Sequence, residues 1–486
     1  MSEPTANTKA GASDTSDETN WPLLKSERTW GQRELGIVML VTATATWCYI
    51  IGEYVGTYLN LKQGFAAMTA GAMIGMLMVT LAVVAPATRY GIDSIVSARP
   101  QFGNRGWMVT VLLQYASIIG WNSLLLIFFG KSFVQLGMTL GLVSEGSAST
   151  VQAFAVLVAC ALVFGVLMRG KSGIARASNI LFFFVIGVGL WMVYFLLTNQ
   201  SEAIANAVPA YASGSLQWAY VTGIEVGIVS LLSWWPYVGA MARMAPNAHT
   251  AAKPAMLGMG LPVPLLSVIG LAAVLALGTS DPSGWMVELG GSFYGAIALV
   301  FVIAANLGTA IVGVYATAVG LKSVPGVDKM KWNTTVLLGL LPVAFISIFI
   351  PDLVFNNFGT FLAFIGVFFA PLCAIQAVDY FLLRGQRLDV RSLYDSSKSS
   401  KYAFWGGFNP AAIAGMVAGF VTYVYLLDPI TYSSRSPYEL LTASLPAAVV
   451  GGIVFWVITV AVVKPAGRGG YEQKKIMGSE SSARVD

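Results

Sequence analysis

Charge is scarce in this chain. Asp, Glu, Lys and Arg make up 10% of its 486 residues, whereas soluble domains carry about a quarter. A soluble globular fold is therefore excluded, and so is a basic face built to hold nucleic acid. Histidine is nearly missing as well. His249 is the only one and sits in a polar stretch, so neither a histidine metal site nor a histidine-based nucleophile is available. Cys48, Cys160 and Cys373 all fall in apolar runs, which argues for inert buried thiols and against a disulfide or metal framework. No nucleophile, metal cluster or charge triad marks an intramembrane enzyme, and no cofactor is implied. Residues 1–32 are polar, rich in Ser and Thr, and lack the apolar core of a signal peptide; a disordered cytoplasmic tail is expected there, and another over 464–486.

What is abundant is hydrocarbon. Hydrophobic residues make up 56% and mean hydropathy is +0.71. A membrane span needs about 20 mostly apolar residues. Twelve runs qualify: 34–58, 64–86, 107–131, 151–168, 176–198, 215–242, 254–278, 290–321, 332–351, 356–383, 408–427 and 440–463. They are long and continuous rather than short and alternating, so they read as helices. With the N-terminus taken as cytoplasmic, 25 of the 28 basic residues fall in the tails and on one side of the membrane; Lys62, Lys131 and Arg435 are the exceptions. By the positive-inside rule both termini are cytoplasmic. The expected setting is a cell (inner) membrane crossed many times by a monomer in the lipid bilayer.

Spans 1–5 and 6–10 match in number, and five is odd, so the second set runs inverted. An offset of about 183 residues puts TATATW (42–47) opposite 225–230 and Trp121 opposite 304–306, so polar interruptions recur at similar depth, as in secondary transporters built from inverted repeats. The expected fold is all-α integral membrane, with twelve transmembrane helices. Repeat one covers 34–198, repeat two 215–383, and the peripheral helices 408–463, within a transporter domain of 33–463.

Four spans carry the chemistry. Span 1 reads TATATWCYIIGEYVG (42–56). Its small polar residues allow either close helix packing or a broken helix whose freed carbonyls and hydroxyls face a central cavity. Trp47 and Glu53 lie close by, with Glu53 nearer the outer face. In span 6, Glu225 lies near mid-membrane between Gly223 and Gly227, ahead of the kinking Pro236. An ionisable group at that depth is costly unless paired, protonated or wetted. Trp234 and Trp235 read equally well as packing or site. Span 3 places Gln114, Trp121, Asn122 and Ser123 in an apolar helix, where Trp121 offers a platform for a flat heterocycle. Span 8 adds Asn306, donor and acceptor at once, and Thr309 one turn on. Packing between helices is the competing reading for both spans. Substrate-binding candidates are thus Trp47, Glu53, Gln114, Trp121, Asn122, Glu225, Gly227, Asn306 and Thr309. Ion-binding candidates are Thr42, Ala45 and Thr309.

The loop after span 2 contains ARPQFGNRG (98–106). With it the chain resembles nucleobase–cation symporter family 1, the permeases for cytosine, purines, uracil, allantoin and hydantoins. LLKSERTWGQREL (23–35), SWWPY (233–237) followed by Arg243, and VDYFLLRG (378–385) are similar to other stretches of that family. The resemblance runs from about residue 21 to 463. It implies a leucine-transporter-like fold, with substrate between spans 1, 3, 6 and 8, stacked between tryptophans of spans 3 and 6 and hydrogen-bonded by amides. Trp121 matches the span 3 tryptophan. The span 6 tryptophan falls at Ile228, the span 8 asparagines at Thr309 and Gly313, and the Ser/Thr pair of the sodium site at Leu307–Gly308. The two buried glutamates also depart from the hydantoin and allantoin pattern. The expectation is therefore import of a small planar nitrogen-rich compound by symport with H+ or Na+. Glu225 is expected to pair with an amidine-like edge or a cationic substrate (a guanidino compound, a thiamine-like ring, a betaine or an amino acid), or to carry the coupling proton.

Overall fold

The computed structural model describes residues 21–169, 171–210, 214–278 and 281–471. Residues 1–20 and 472–486, most of the two expected tails, lie outside them. Among the described residues the chain is helical, and extended pairing is confined to two isolated bridges, Trp405 with Phe408 and Leu427 with Ser434.

The helices are α1 (Gln32–Ala43), α2 (Trp47–Gly56), α3 (Leu61–Tyr90), α4 (Ser94–Phe102), α5 (Met108–Thr139), α6 (Glu145–Leu167) and α7 (Lys171–Asn199). They continue with α8 (Leu216–Leu232), α9 (Trp235–Ala242), α10 (Ala248–Leu277), α11 (Pro282–Leu321), α12 (Trp332–Phe349), α13 (Phe358–Leu383), α14 (Pro410–Leu426) and α15 (Ser444–Val463). Among the described residues eight helices are long and apolar enough to cross a membrane. Two bent pairs, α1 with α2 and α8 with α9, bring the number to ten; Ile186–Asn199 and α14 are shorter apolar helices.

The two bends are local in origin. Thr44 leaves helical geometry at φ −99°, ψ 98°, and its hydroxyl bonds back to Val41 O at 3.1 Å. The chain resumes as α2 at 60° to α1. Ser and Thr offer the backbone such alternatives to the helical ladder. The second break, 45°, lies at Ser233–Trp234, just ahead of Pro236, which supplies no amide hydrogen to the preceding turn.

Small residues decide how closely the helices meet. A Cβ on Gly52 would lie 1.7 Å from Ser267 O, and one on Gly270 2.0 Å from Tyr49 O, so α2 and α10 touch backbone to backbone. Gly71 and Gly227 bring α3 against α8 in the same way. This is the close approach by which membrane helices gain packing energy without a hydrophobic drive.

One boundary differs from expectation. The run at 290–321 begins earlier, at Pro282, with Asp281 accepting from Ser283 N at 3.0 Å as its cap. The helix changes direction at Gly291, whose φ of +62° suits glycine. Residues 282–290 therefore form a short lid helix ahead of the span proper. Hydropathy missed it because Pro282, Ser283 and Glu288 dilute the apolar signal.

The ARPQFGNRG stretch, expected as a loop, is the end of α4 and the turn after it, and it forms a structural clamp. Gln101 Nε2 donates to Asp379 Oδ2 at 2.8 Å, which joins α4 to the VDYFLLRG stretch, and Arg384 Nε of that stretch reaches the same oxygen at 2.6 Å. Asn104 Nδ2 donates to Ser396 O and Ser397 O, and Tyr471 Oη to Asp379 Oδ1 at 2.7 Å. Buried charges persist only when paired and hydrogen-bonded in this way.

Candidate functional site

The break between α1 and α2 brings Trp47 to the middle of the protein. Its ring centroid lies 5.3 Å from that of Trp121 on α5 and 5.4 Å from that of Trp234 at the start of α9. Tyr237 follows at 4.9 Å from Trp234. Phe358 and Phe361, at the beginning of α13, meet Trp121 edge-on at 5.9 and 5.3 Å. Aromatic pairs prefer such edge and tilted contacts. Pro236 explains Trp234: the break it enforces turns that ring to the centre, while the adjacent Trp235 is fully buried and donates to Gln376 Oε1 at 2.5 Å.

Polar groups surround the three rings. Thr46 Oγ1 donates to Asn306 Oδ1, tying the break to α11. Asn122 rests against α11 where Gly313 leaves room: a Cβ there would lie 2.3 Å from Asn122 Oδ1. Trp121 Nε1, Trp234 Nε1, Asn306 Nδ2, Ser117 Oγ and both ends of the Asn122 amide are buried with no protein partner. Each such group costs about 1–3 kcal/mol if left unmet. The free set is rich in N–H donors, with the Asn122 carbonyl as its amide acceptor.

A cavity of about 680 Å³ enters from the end bearing the basic loops and reaches as far as Tyr237, the neighbour of Trp234, without being lined by the three tryptophans themselves. Thr42, Gln114, Tyr237 and Val312 line its inner part, and Arg33, Glu34 and Arg243 its outer part.

Of the residues singled out from sequence, Trp47, Trp121, Asn122 and Asn306 meet at the centre. Gln114 lines the cavity, its Nε2 donating to Ala316 O at 3.0 Å. Thr42 and Thr309 bond back to Val38 O (2.7 Å) and Ala305 O (3.2 Å), so their hydroxyl protons are spent on their own helices. Ala45 offers only its carbonyl, which already accepts from Cys48 N at 3.1 Å.

The remaining three are corrected. Glu225 is no part of the central cluster. Its Oε1 accepts from Ser444 Oγ at 2.5 Å, and its Oε2 from Ser444 N (3.1 Å) and Ala443 N (3.2 Å). It caps the N-terminus of α15, where unpaired amides and the helix dipole favour a negative group. Gly227 serves the contact with α3. Glu53 lies toward the opposite end from the cavity mouth, under the lid helix, and accepts from Trp285 Nε1 at 2.8 Å. Thr46 and Tyr237 stood within the quoted TATATW and SWWPY stretches without being named as site residues, and sequence reasoning passed over Phe358 and Phe361, whose local pattern does not separate them from ordinary span residues.

A family model described as permease for cytosine/purines, uracil, thiamine and allantoin matches residues 22–460. A purine-uracil permease of Arabidopsis thaliana is 24% identical over 469 residues, covering 90% of this chain and 76% of its own. A hydantoin permease of Microbacterium maritypicum is 23% identical over 425 residues, covering 82% and 81%. Among solved structures, Mhp1, a nucleobase-cation-symport-1 family transporter with bromovinylhydantoin bound, superposes with a TM-score of 0.73 at 18% identity over 92% of this chain and 97% of that one. A Na+-coupled sialic acid symporter shares the fold more distantly, with a TM-score of 0.55 at 10% identity over 89% of this chain and 91% of that one.

Proposed function

The chain belongs to the family of permeases for cytosine/purines, uracil, thiamine and allantoin, and we propose that it imports a small planar nitrogen-containing ring, a nucleobase or a hydantoin- or allantoin-like compound, by symport with a cation. The observation that carries this reading is the set of unpartnered N–H and amide groups around three tryptophans at the centre of the protein. A flat ring stacks on indole, and its carbonyls and ring nitrogens satisfy the waiting donors. A cationic substrate would want a carboxylate at the same place. Glu225 is spent on α15 and Glu53 on Trp285, which favours a neutral ring.

Counting α7 and α14 as spans raises ten to twelve and agrees with two inverted five-helix repeats, 34–198 and 215–383, plus peripheral helices over 408–463. In the proposed orientation the basic loops face the cytoplasm of a cell bounded by its inner membrane. The cavity then opens inward, and transport proceeds by alternating access in a monomer. Thr42, Ala45 and Thr309 are the proposed cation ligands, through oxygen lone pairs not used in their back-bonds, and the coupling ion is H+ or Na+.

Uptake of labelled nucleobases, hydantoins and cationic analogues in a transport-null strain, with sodium or a protonophore varied, tests the reading. Saturable uptake of a neutral ring that collapses when one ion gradient is removed is expected. Uptake of cations alone, or uptake indifferent to both gradients, would overturn it. Orientation is checked separately, in a chain with Cys48, Cys160 and Cys373 replaced. Exposed Ser149→Cys is expected to react with an impermeant thiol reagent from outside, and exposed Ser397→Cys to resist it; equal labelling of both refutes the topology.

A further inference from the structure

The lid helix, residues 282–290, is held at two points. Asp281 pairs with Lys131 Nζ on α5 at 3.2 Å. Trp285, fully buried, donates from Nε1 to Glu53 Oε1 on α2 at 2.8 Å, and its ring lies edge-on to Tyr49 at 5.7 Å. The first contact joins the lid to α5. The second joins it to α2, the half-span set free by the break at Thr44–Thr46. The next residue of α2 after Glu53 is Tyr54, whose ring packs against Phe358 at 6.4 Å, Tyr432 at 6.0 Å and Tyr58 at 5.6 Å. Tyr432 Oη donates to Gly359 O at 2.6 Å. This layer seals the cluster on the side away from the cavity, so any path to the outside requires α2 to leave both the layer and the lid.

Glu53 is 2% exposed, and its Oε2 is buried with no hydrogen-bond partner. The charged or titratable groups around it are few. Lys131 is engaged by Asp281; Tyr49 is on α2 itself; the part of α10 packed on α2, from Ser267 to Val274, carries none. On α3 the nearest is the exposed Lys62, and on α8 Glu225 is turned to Ser444. A carboxyl group at such a place is tolerated when it is paired, hydrated or protonated. No cation pairs with it among the described residues and Oε2 is shut off from solvent, so a proton is what neutralises it.

We propose that Glu53 is a proton-binding site that latches the outer gate: in its acid form it stays dry beneath the lid, its carbonyl oxygen accepting from Trp285, and in its ionised form the buried, unpartnered Oε2 must be hydrated, which opens the lid. The proton comes from outer water as the gate closes and returns there as it opens, because the closed gate gives Glu53 no route to the cavity. Outer acidity therefore promotes closure without being the coupling ion. This rests on the alternating-access reading above.

The test uses intact cells expressing the full chain without native cysteines and with Phe361→Cys, which meets Trp121 beneath the sealing layer. Labelling by an impermeant thiol reagent is taken relative to exposed Ser149→Cys, which removes the reagent's own pH dependence. As outer pH rises from 5.5 to 8, relative labelling is expected to climb by up to about tenfold per pH unit, the limit for one linked proton. With Glu53→Gln, which mimics the acid form, it is expected to stay low and flat. Trp285→Phe, which keeps a ring but removes the N–H, is expected to label more than the parent at every pH; it serves as the second variant should Glu53→Gln fail to fold. A parent cysteine that reacts independently of pH, or a Glu53→Gln variant as pH-sensitive as the parent, overturns the latch while leaving alternating access standing. A cysteine unreactive at all pH values, in Trp285→Phe as well, overturns alternating access at this gate and the latch with it.

Discussion

Trp121→Ala is expected to weaken substrate binding by about 1–3 kcal/mol, the loss seen when a stacked ring is deprived of its aromatic partner. Trp121 touches Trp47, Phe358 and Phe361 at once, so it joins α2, α5 and α13 at the centre. Truncation removes the stacking surface and also an indole N–H that has no partner within the protein. Trp121→Phe keeps a ring but not the N–H, and should recover part of the affinity. Equilibrium binding of the ring preferred in the uptake panel is the measurement. Unchanged affinity in a normally expressed Trp121→Ala would reduce the residue to packing.

Glu225→Ala is expected to do the reverse: to damage stability and spare recognition. The substitution leaves Ser444 Oγ, Ser444 N and Ala443 N without their acceptor at a buried helix start. Unmet buried donors cost about 1–3 kcal/mol each, and partial relaxation brings the expected total to about 3 kcal/mol. Thermal unfolding in detergent should show a clearly lower midpoint. Affinity measured per folded molecule should match the parent. Glu225→Gln, which keeps one carbonyl oxygen, should fall between the two in stability. Full stability with abolished binding would return Glu225 to the substrate site.

Glu53 and Glu225 show where sequence reasoning stops. Both were identifiable as acids inside apolar spans, and depth alone marked them as consequential. Depth does not say which way a side chain points. Successive helix residues are turned by about 100°, so an error of one residue in the register between two helices exchanges a central cavity for a peripheral neighbour. Glu225 faces α15, a helix more than two hundred residues further along the chain, and only the packed structure could reveal that partner. Trp234 and Trp235 were indistinguishable for the same reason. The break at Ser233–Trp234 turns one to the centre and the other to Gln376.

By itself the sequence determined the membrane setting, from the shortage of charge, and the helical class, from the length of the apolar runs; it pointed to a kink at Pro236 and offered a break at Thr44–Thr46 as one of two readings, which the structure then decided. It also marked Trp47, Trp121, Asn122 and Asn306 as candidates, because polar and aromatic groups stand out against hydrocarbon. The tertiary structure alone decided which of these meet, that residues 282–290 fold as a lid, that Glu225 lies outside the centre, and that Glu53 meets Trp285. The physical reason is range. Solubility, hydropathy and backbone breaks are properties of short stretches. Contacts between distant helices depend on how closely backbones approach, as at Gly52, Gly71 and Gly270, where a single Cβ would force the helices apart.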